Sequence, residues 1–220
     1  MSDKSQPIPL LLTLYQEYVA TEDIQAFVDQ VSRRYSVATL ERLAGHGDRQ
    51  RRRAAILALG YLGDYESNHV LGRALVDKDR GVRAVAENGI RSLWTRAGND
   101  HQREQLKTIL YLNSSKQFDA AVAAATKLIE QAPWFAEIWN QRAIAYFQLG
   151  RYADAVRDCH QALEINPYHF AAATGMGECH LKLNDPMSAL VAFRRALRLN
   201  PNLEGVRAKV VYLQRTLKEK

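Results

Sequence analysis

Residues 162–170 read ALEINPYHF and residues 196–201 read ALRLNP. Both phrases close an apolar stretch on Asn-Pro, and the second repeats the first at an offset of 34 in the numbering. Other positions keep the same offset: Pro133, Pro167 and Pro201; Ala121, Ala155 and Ala189; Ile129, Leu163 and Leu197. One period shared by several registers is the mark of a repeat array. Proline stops a helix because it lacks an N–H and restricts the residue before it. Small alanines at fixed spacing let two helices approach closely. The pattern therefore predicts three helical hairpins, at 102–135, 136–169 and 170–203, each ending near its proline. Beyond Pro201, Val206, Val210, Leu213 and Leu217 form one apolar stripe, which predicts a capping helix over 204–220.

The first half carries a different period. DRQRRRAAILALGYLGD (48–64) and DRGVRAVAENGIRSLW (79–94) align at an offset of 31. Asp48 then pairs with Asp79, Arg52 with Arg83, Ala55 with Ala86, and Leu40 of the preceding helix with Leu71. Two further helices are expected within residues 7–35, and Thr21 and Ser36 read as N-caps. The link TRAGND (95–100) is short, with Gly98 as a helix stop and Asn99-Asp100 as a new start. The expected division is 1–98 and 99–220, joined as one continuous all-helical superhelix.

The middle hairpin resembles the tetratricopeptide repeat family through Trp139, Ala143, Tyr146, Gly150, Tyr152, Ala155, Ala162 and Pro167. The third keeps Gly177, Ala189, Ala196 and Pro201 but has His180 and Pro186 in place of the two tyrosines. The first is the most divergent, with Lys116 where the turn glycine stands. Residues 36–98 resemble the short HEAT-like repeat, a type also seen in phycobilisome lyase subunits. The combination is similar to bacterial proteins with C-terminal tetratricopeptide repeats. The fold class these resemblances imply is all-α: an α-solenoid of HEAT-like repeats, then three tetratricopeptide hairpins and the capping helix.

Composition fits that class. The chain is 47% hydrophobic and 25% charged, too apolar for disorder. Two cysteines, Cys159 and Cys179, suggest no disulfide framework. The apolar run at residues 8–15 is interrupted by Pro9 and closed by Glu17, which argues against an export signal, and no run reaches transmembrane length. A cytoplasmic setting without membrane contact is expected. The net charge of +6 is uneven: positions 194–220 hold 8 basic and 2 acidic side chains.

No catalytic constellation, metal site or cofactor site emerges. TGMGECH (174–180) has Gly175 and Gly177, but no preceding strand and no third glycine, as a dinucleotide loop requires. Cys159-His160 and Cys179-His180 hold zinc-type ligands, yet neighbours on a helix diverge by about 100°, so both cysteines read as small core residues. Arg49, Arg51, Arg52, Arg53, Arg80 and Arg83 offer a phosphate-contacting surface, which the neighbouring Asp48, Asp77 and Asp79 argue against.

The resemblance implies a non-enzymatic interaction scaffold, in which the first helices of successive hairpins line a concave groove for a protein or peptide partner. By register the groove carries Arg103, Leu106 and Leu110, then Asn140, Ile144, Phe147 and Gln148, then Thr174, Glu178 and Lys182. Some family members grip a terminal carboxylate with Lys, Asn and Arg. The corresponding positions here are Leu106, Leu110, Gln141, Ala171 and Gly175, so that clamp is missing. The alternatives are nucleic-acid binding by the arginine-rich half, which the acidic neighbours disfavour, and a lyase-type accessory enzyme.

Overall fold

A computed structural model describes residues 10–218; residues 1–9 and 219–220, and what the sequence predicts for them, lie outside the described residues. The described residues form thirteen α-helices and one 3-10 turn, with no strand among them. The chain divides into two compact units between Leu93 and Trp94.

The first unit contains α1 (Leu10–Thr21), α2 (Ile24–Ser32), α3 (Val37–Gly45), α4 (Arg49–Leu62), the 3-10 turn Tyr65–Ser67, α5 (Asn68–Ala74) and most of α6 (Arg80–Arg96). Helices α3 and α5 start at Val37 and Asn68, and α4 and α6 at Arg49 and Arg80, so both pairs keep the period read from the sequence. The reason is local. Asp48 caps α4 by accepting from the Gln50 and Arg51 amides, both at 2.9 Å, and Asp79 caps α6 by accepting from the Val82 amide at 2.9 Å. Ser36 caps α3 as expected, through the Thr39 amide. Thr21 does not cap α2. It ends α1 and donates to the Glu17 carbonyl, while Asp23, whose carboxylate reaches the Ala26 amide at 2.9 Å, is the cap. A carboxylate two positions later offered the better acceptor.

Helices α4 and α6 touch backbone to backbone. A β-carbon added at Gly60 would stand 2.9 Å from the Gly89 Cα. No side chain is there to give way, so Gly60→Ala is expected to destabilise the first unit by about 2 kcal/mol, read as an earlier urea midpoint.

The second unit contains the end of α6 and α7 (Asp100–Ser114), α8 (Phe118–Gln131), α9 (Ala136–Gln148), α10 (Tyr152–Ile165), α11 (Phe170–Lys182), α12 (Pro186–Leu199) and α13 (Glu204–Thr216). From α8 onward the period is kept at both ends of every helix: α8, α10 and α12 coincide in register, and so do α9, α11 and α13. Ala121, Ala155 and Ala189 are fully buried, as the close-approach argument requires, and Val206, Val210 and Leu213 of α13 are buried.

The repeated Asn-Pro has an explanation beyond the proline. Asn166 and Asn200 are fully buried. Their side-chain oxygens accept from the amides two positions on, Tyr168 at 3.1 Å and Asn202 at 3.0 Å. Each asparagine folds back over the proline and fixes the turn that launches the next helix. The other turn of each hairpin uses a left-handed residue at a repeat-equivalent position: Lys116 (φ 59°), Gly150 (φ 74°) and Asn184 (φ 57°). Only glycine takes that conformation freely. Lys116→Gly is therefore expected to stabilise the protein by about 1 kcal/mol, measured as a melting temperature raised by roughly 2–4 °C.

Candidate functional site

Successive first helices of the hairpins, α9 and α11, wall a hollow of 200 Å³. From α9 come Asn140, Ala143, Ile144, Phe147 and Gln148; from α11 come Ala171, Gly175, Glu178 and Cys179; Cys159 reaches in from α10. Of the residues predicted for the groove, Asn140, Ile144, Phe147, Gln148 and Glu178 thus meet in one place. Ile144 is 40% exposed, and Phe147 is braced edge-on against Tyr152, their centroids 5.4 Å apart. Glu178 is tied to Lys209 of α13 by an ion pair.

The other predicted residues stand elsewhere. Arg103, Leu106 and Leu110 line a separate hollow of 430 Å³ together with Asp100, Glu104 and Lys107. Arg103 pairs there with Asp100 and also donates to the Gly98 carbonyl at 2.6 Å, and Leu106 is only 1% exposed. Thr174 and Lys182 line neither hollow. The Thr174 hydroxyl donates back to the Phe170 carbonyl at 2.9 Å, and Lys182 is exposed at the end of α11.

Behind the groove lies a buried polar network that periodicity did not reveal. The Glu137 carboxylate accepts from Gln141 Nε2 at 2.6 Å, Asn140 Nδ2 at 3.2 Å and His169 Nε2 at 2.9 Å. His169 Nδ1 accepts from the Ala172 amide at 3.1 Å. The Ala172 amide thus meets the Nδ1 side of the ring and the carboxylate its Nε2 side. The indole of Trp94, the first residue of this unit, lies on the imidazole with centroids 4.1 Å apart. Asn113 Nδ2 donates to Gln141 Oε1 at 3.0 Å. Burial pushes the Glu137 carboxyl up, but the hydrogen bond and electrostatic attraction of His169, with the hydrogen bonds from Gln141 and Asn140, outweigh it and hold the group below the usual range. The middle hairpin thus converges on one anion, Asn113 of the first hairpin is attached to it through Gln141, and Asn140 joins that anion to the groove.

The cysteines form the floor of the hollow rather than a reactive centre. Burial raises Cys159 strongly and raises Cys179 to about 11, so both remain thiols at neutral pH and are poor nucleophiles. Among the described residues, no cluster of three or more His, Cys, Asp or Glu could hold a metal ion. No described helix is long and apolar enough to cross a membrane.

The arginine run of the first unit is engaged with carboxylates. Arg52 grips Asp77 through two bonds at 2.8 and 2.9 Å and donates to the Gly47 carbonyl. Arg53 grips Asp79 at 2.7 and 3.0 Å, and Arg51 stands 3.3 Å from Asp48. The hydrogen bonds from Arg53 and the Val82 amide hold the Asp79 carboxyl down at about 2. These pairings take up the charge of Arg51, Arg52 and Arg53, while Arg49 and Arg80 are exposed.

Comparison with known proteins places these observations. Residues 136–169 match the tetratricopeptide repeat family, the same span as the middle hairpin. The Hsp70-Hsp90 organizing protein of Triticum aestivum is 30% identical over 95 residues, which is 43% of this chain and 16% of that protein. A TPR repeat-containing protein of Rhizobium etli is 27% identical over 125 residues, 57% of this chain and 61% of that protein. The chain thus spans less than two thirds of either relative. Among solved structures, the first TPR of Spaghetti (RPAP3) bound to HSP90 peptide SRMEEVD has a TM-score of 0.51 at 23% identity, covering 53% of this chain and 93% of that one. The hairpins of the second unit have the tetratricopeptide fold.

Proposed function

We propose that the protein is a non-enzymatic scaffold whose second unit binds a peptide or helix of a partner protein in the α9–α11 groove. The observation that carries this reading is the meeting of Ile144 and Phe147 with Asn140, Gln148 and Glu178 around one open apolar hollow. Apolar anchors rimmed by amide and charge suit an extended peptide or an amphipathic helix. The solved complex of the first RPAP3 TPR with an HSP90 peptide supports peptide recognition as the class of activity.

The groove does not suit the acidic tail seen with RPAP3. Among the described residues, no lysine or arginine lines the 200 Å³ hollow. In the neighbouring hollow Arg103 pairs with Asp100 and Lys107 with Glu104. A peptide rich in carboxylates would find no cation in the apolar hollow to replace its water.

For the first unit we propose HEAT-like repeats in a supporting role, on the strength of its repeat period and the aspartate caps that recur with it. Nucleic-acid binding remains the rival, with Arg49 and Arg80 as its exposed cations. The pairing of Arg51, Arg52 and Arg53 with carboxylates weighs against it.

The test is affinity capture from a lysate of the source organism, comparing wild type, Ile144→Ala with Phe147→Ala, and Arg194→Glu on the exposed side of α12. The double change should abolish capture, since loss of a central anchor costs about 2 kcal/mol or more, with helicity unchanged by circular dichroism. Arg194→Glu should capture normally. The reverse outcome would move the working surface to the basic C-terminal face.

A further inference from the structure

Helix α11 holds two glycines, Gly175 and Gly177, and their surroundings differ. A β-carbon at Gly177 would stand 2.5 Å from the ring of Phe193, which is fully buried. Packing therefore demands that glycine. A β-carbon at Gly175 would meet only the Cys159 sulfur at 3.4 Å, an ordinary contact. Its backbone is helical, without a positive φ. Glycine in mid-helix weakens the helix relative to alanine, so Gly175 carries a cost that neither packing nor backbone geometry explains. What its missing side chain does is leave the hollow open between Ile144, Phe147 and Cys179.

We propose that Gly175 opens a socket for a single bulky apolar side chain of a partner peptide. This rests on the groove reading above and specifies its ligand. Size supports it: an apolar cavity of about 150 Å³ accepts a benzene ring, and this hollow is 200 Å³. Leucine, methionine and phenylalanine are of that scale. Among the described residues, Glu178 is the one charged side chain lining the hollow, and Lys209 already pairs with it, so recognition rests on the apolar side chain and not on flanking charge.

The test uses the full chain and fluorescein-labelled dodecapeptides of serine, alanine and lysine. Their central residue is Leu, Met, Phe or Ala. Anisotropy titrations and melting curves are run on wild type, Gly175→Leu, Gly175→Ala and Phe147→Ala. Wild type should bind the Leu, Met and Phe peptides at least tenfold more tightly than the Ala peptide. Gly175→Leu should erase the preference for a bulky centre, and neither Gly175 variant should melt below wild type, with a rise of about 2–4 °C expected for Gly175→Ala.

A lowered melting temperature in both Gly175 variants would assign the glycine to packing and overturn the proposal. So would wild type that binds none of the peptides or ignores the central residue. If Gly175→Leu binds normally while Phe147→Ala does not, the socket is wrong and the groove reading stands. If both variants bind as wild type does, both fall.

Discussion

Glu137→Ala should lower the melting temperature by on the order of 10 °C. The substitution leaves the donors of Gln141, Asn140 and His169 facing an empty, dry space. Removing one partner of such a buried charged network costs about 3–5 kcal/mol, a large share of the roughly 5–15 kcal/mol that holds a domain folded. Glu137→Gln should fall between, because it keeps an acceptor for His169 but turns an amide donor toward the other donors. The network also predicts acid sensitivity of known sign. The Glu137 carboxyl is held lower in the folded protein than in the unfolded chain. Its contribution is present above the unfolded value of about 4.3 and is lost as pH falls through the lower folded value. Urea midpoints measured from neutral pH down through the carboxylate range should fall more steeply in wild type than in Glu137→Gln. Parallel curves would mean that the carboxylate adds no pH-linked stability.

Gly177→Leu should be nearly as damaging. The ring of Phe193 occupies the space that any β-carbon at this position would enter, with three ring atoms at 2.5, 2.6 and 2.9 Å. Phe193 has nowhere to retreat, since Ala189 and Ala196 of the same helix are also fully buried. Overpacking of this kind costs about 3 kcal/mol, and helix α11 would be pushed from α12. A melting curve equal to wild type would show that the α11–α12 contact is looser than the geometry described here. The contrast with Gly175, on the same helix, separates a glycine that packing requires from one that leaves space for a ligand.

Much of this architecture was legible in the sequence because it repeats. A contact made once per hairpin must place alike residues at a fixed spacing. Pro133, Pro167 and Pro201 therefore marked the turns, and Ala121, Ala155 and Ala189 marked the close helix contacts. The shorter period of the first half located Asp48 and Asp79 in the same way. What stayed hidden is what occurs once. The register equivalents of Glu137 are Arg103, Ala171 and Gly205, and those of His169 are Phe135 and Leu203. None can take part in such a network, so no period announces it. The Asn-Pro turns were half legible: proline explained the stop, but the asparagine fold-back depends on a side-chain orientation that only coordinates supply. For the groove, register placed Ile144, Phe147 and Glu178 on facing walls. The floor was missed because Cys159 and Cys179 each had an adequate reading as core, and Gly175 figured as a clamp position without a side chain.

The most direct measurement is hydrogen–deuterium exchange of the protein with and without its captured partner, followed by peptide along the whole chain. The account predicts added protection in α9 around Ile144–Gln148 and in α11 around Thr174–Cys179, with α12 and the arginine-bearing start of α4 unchanged. Protection confined to α4, or to the basic residues of α12 and α13, with none in α9 and α11, would contradict it.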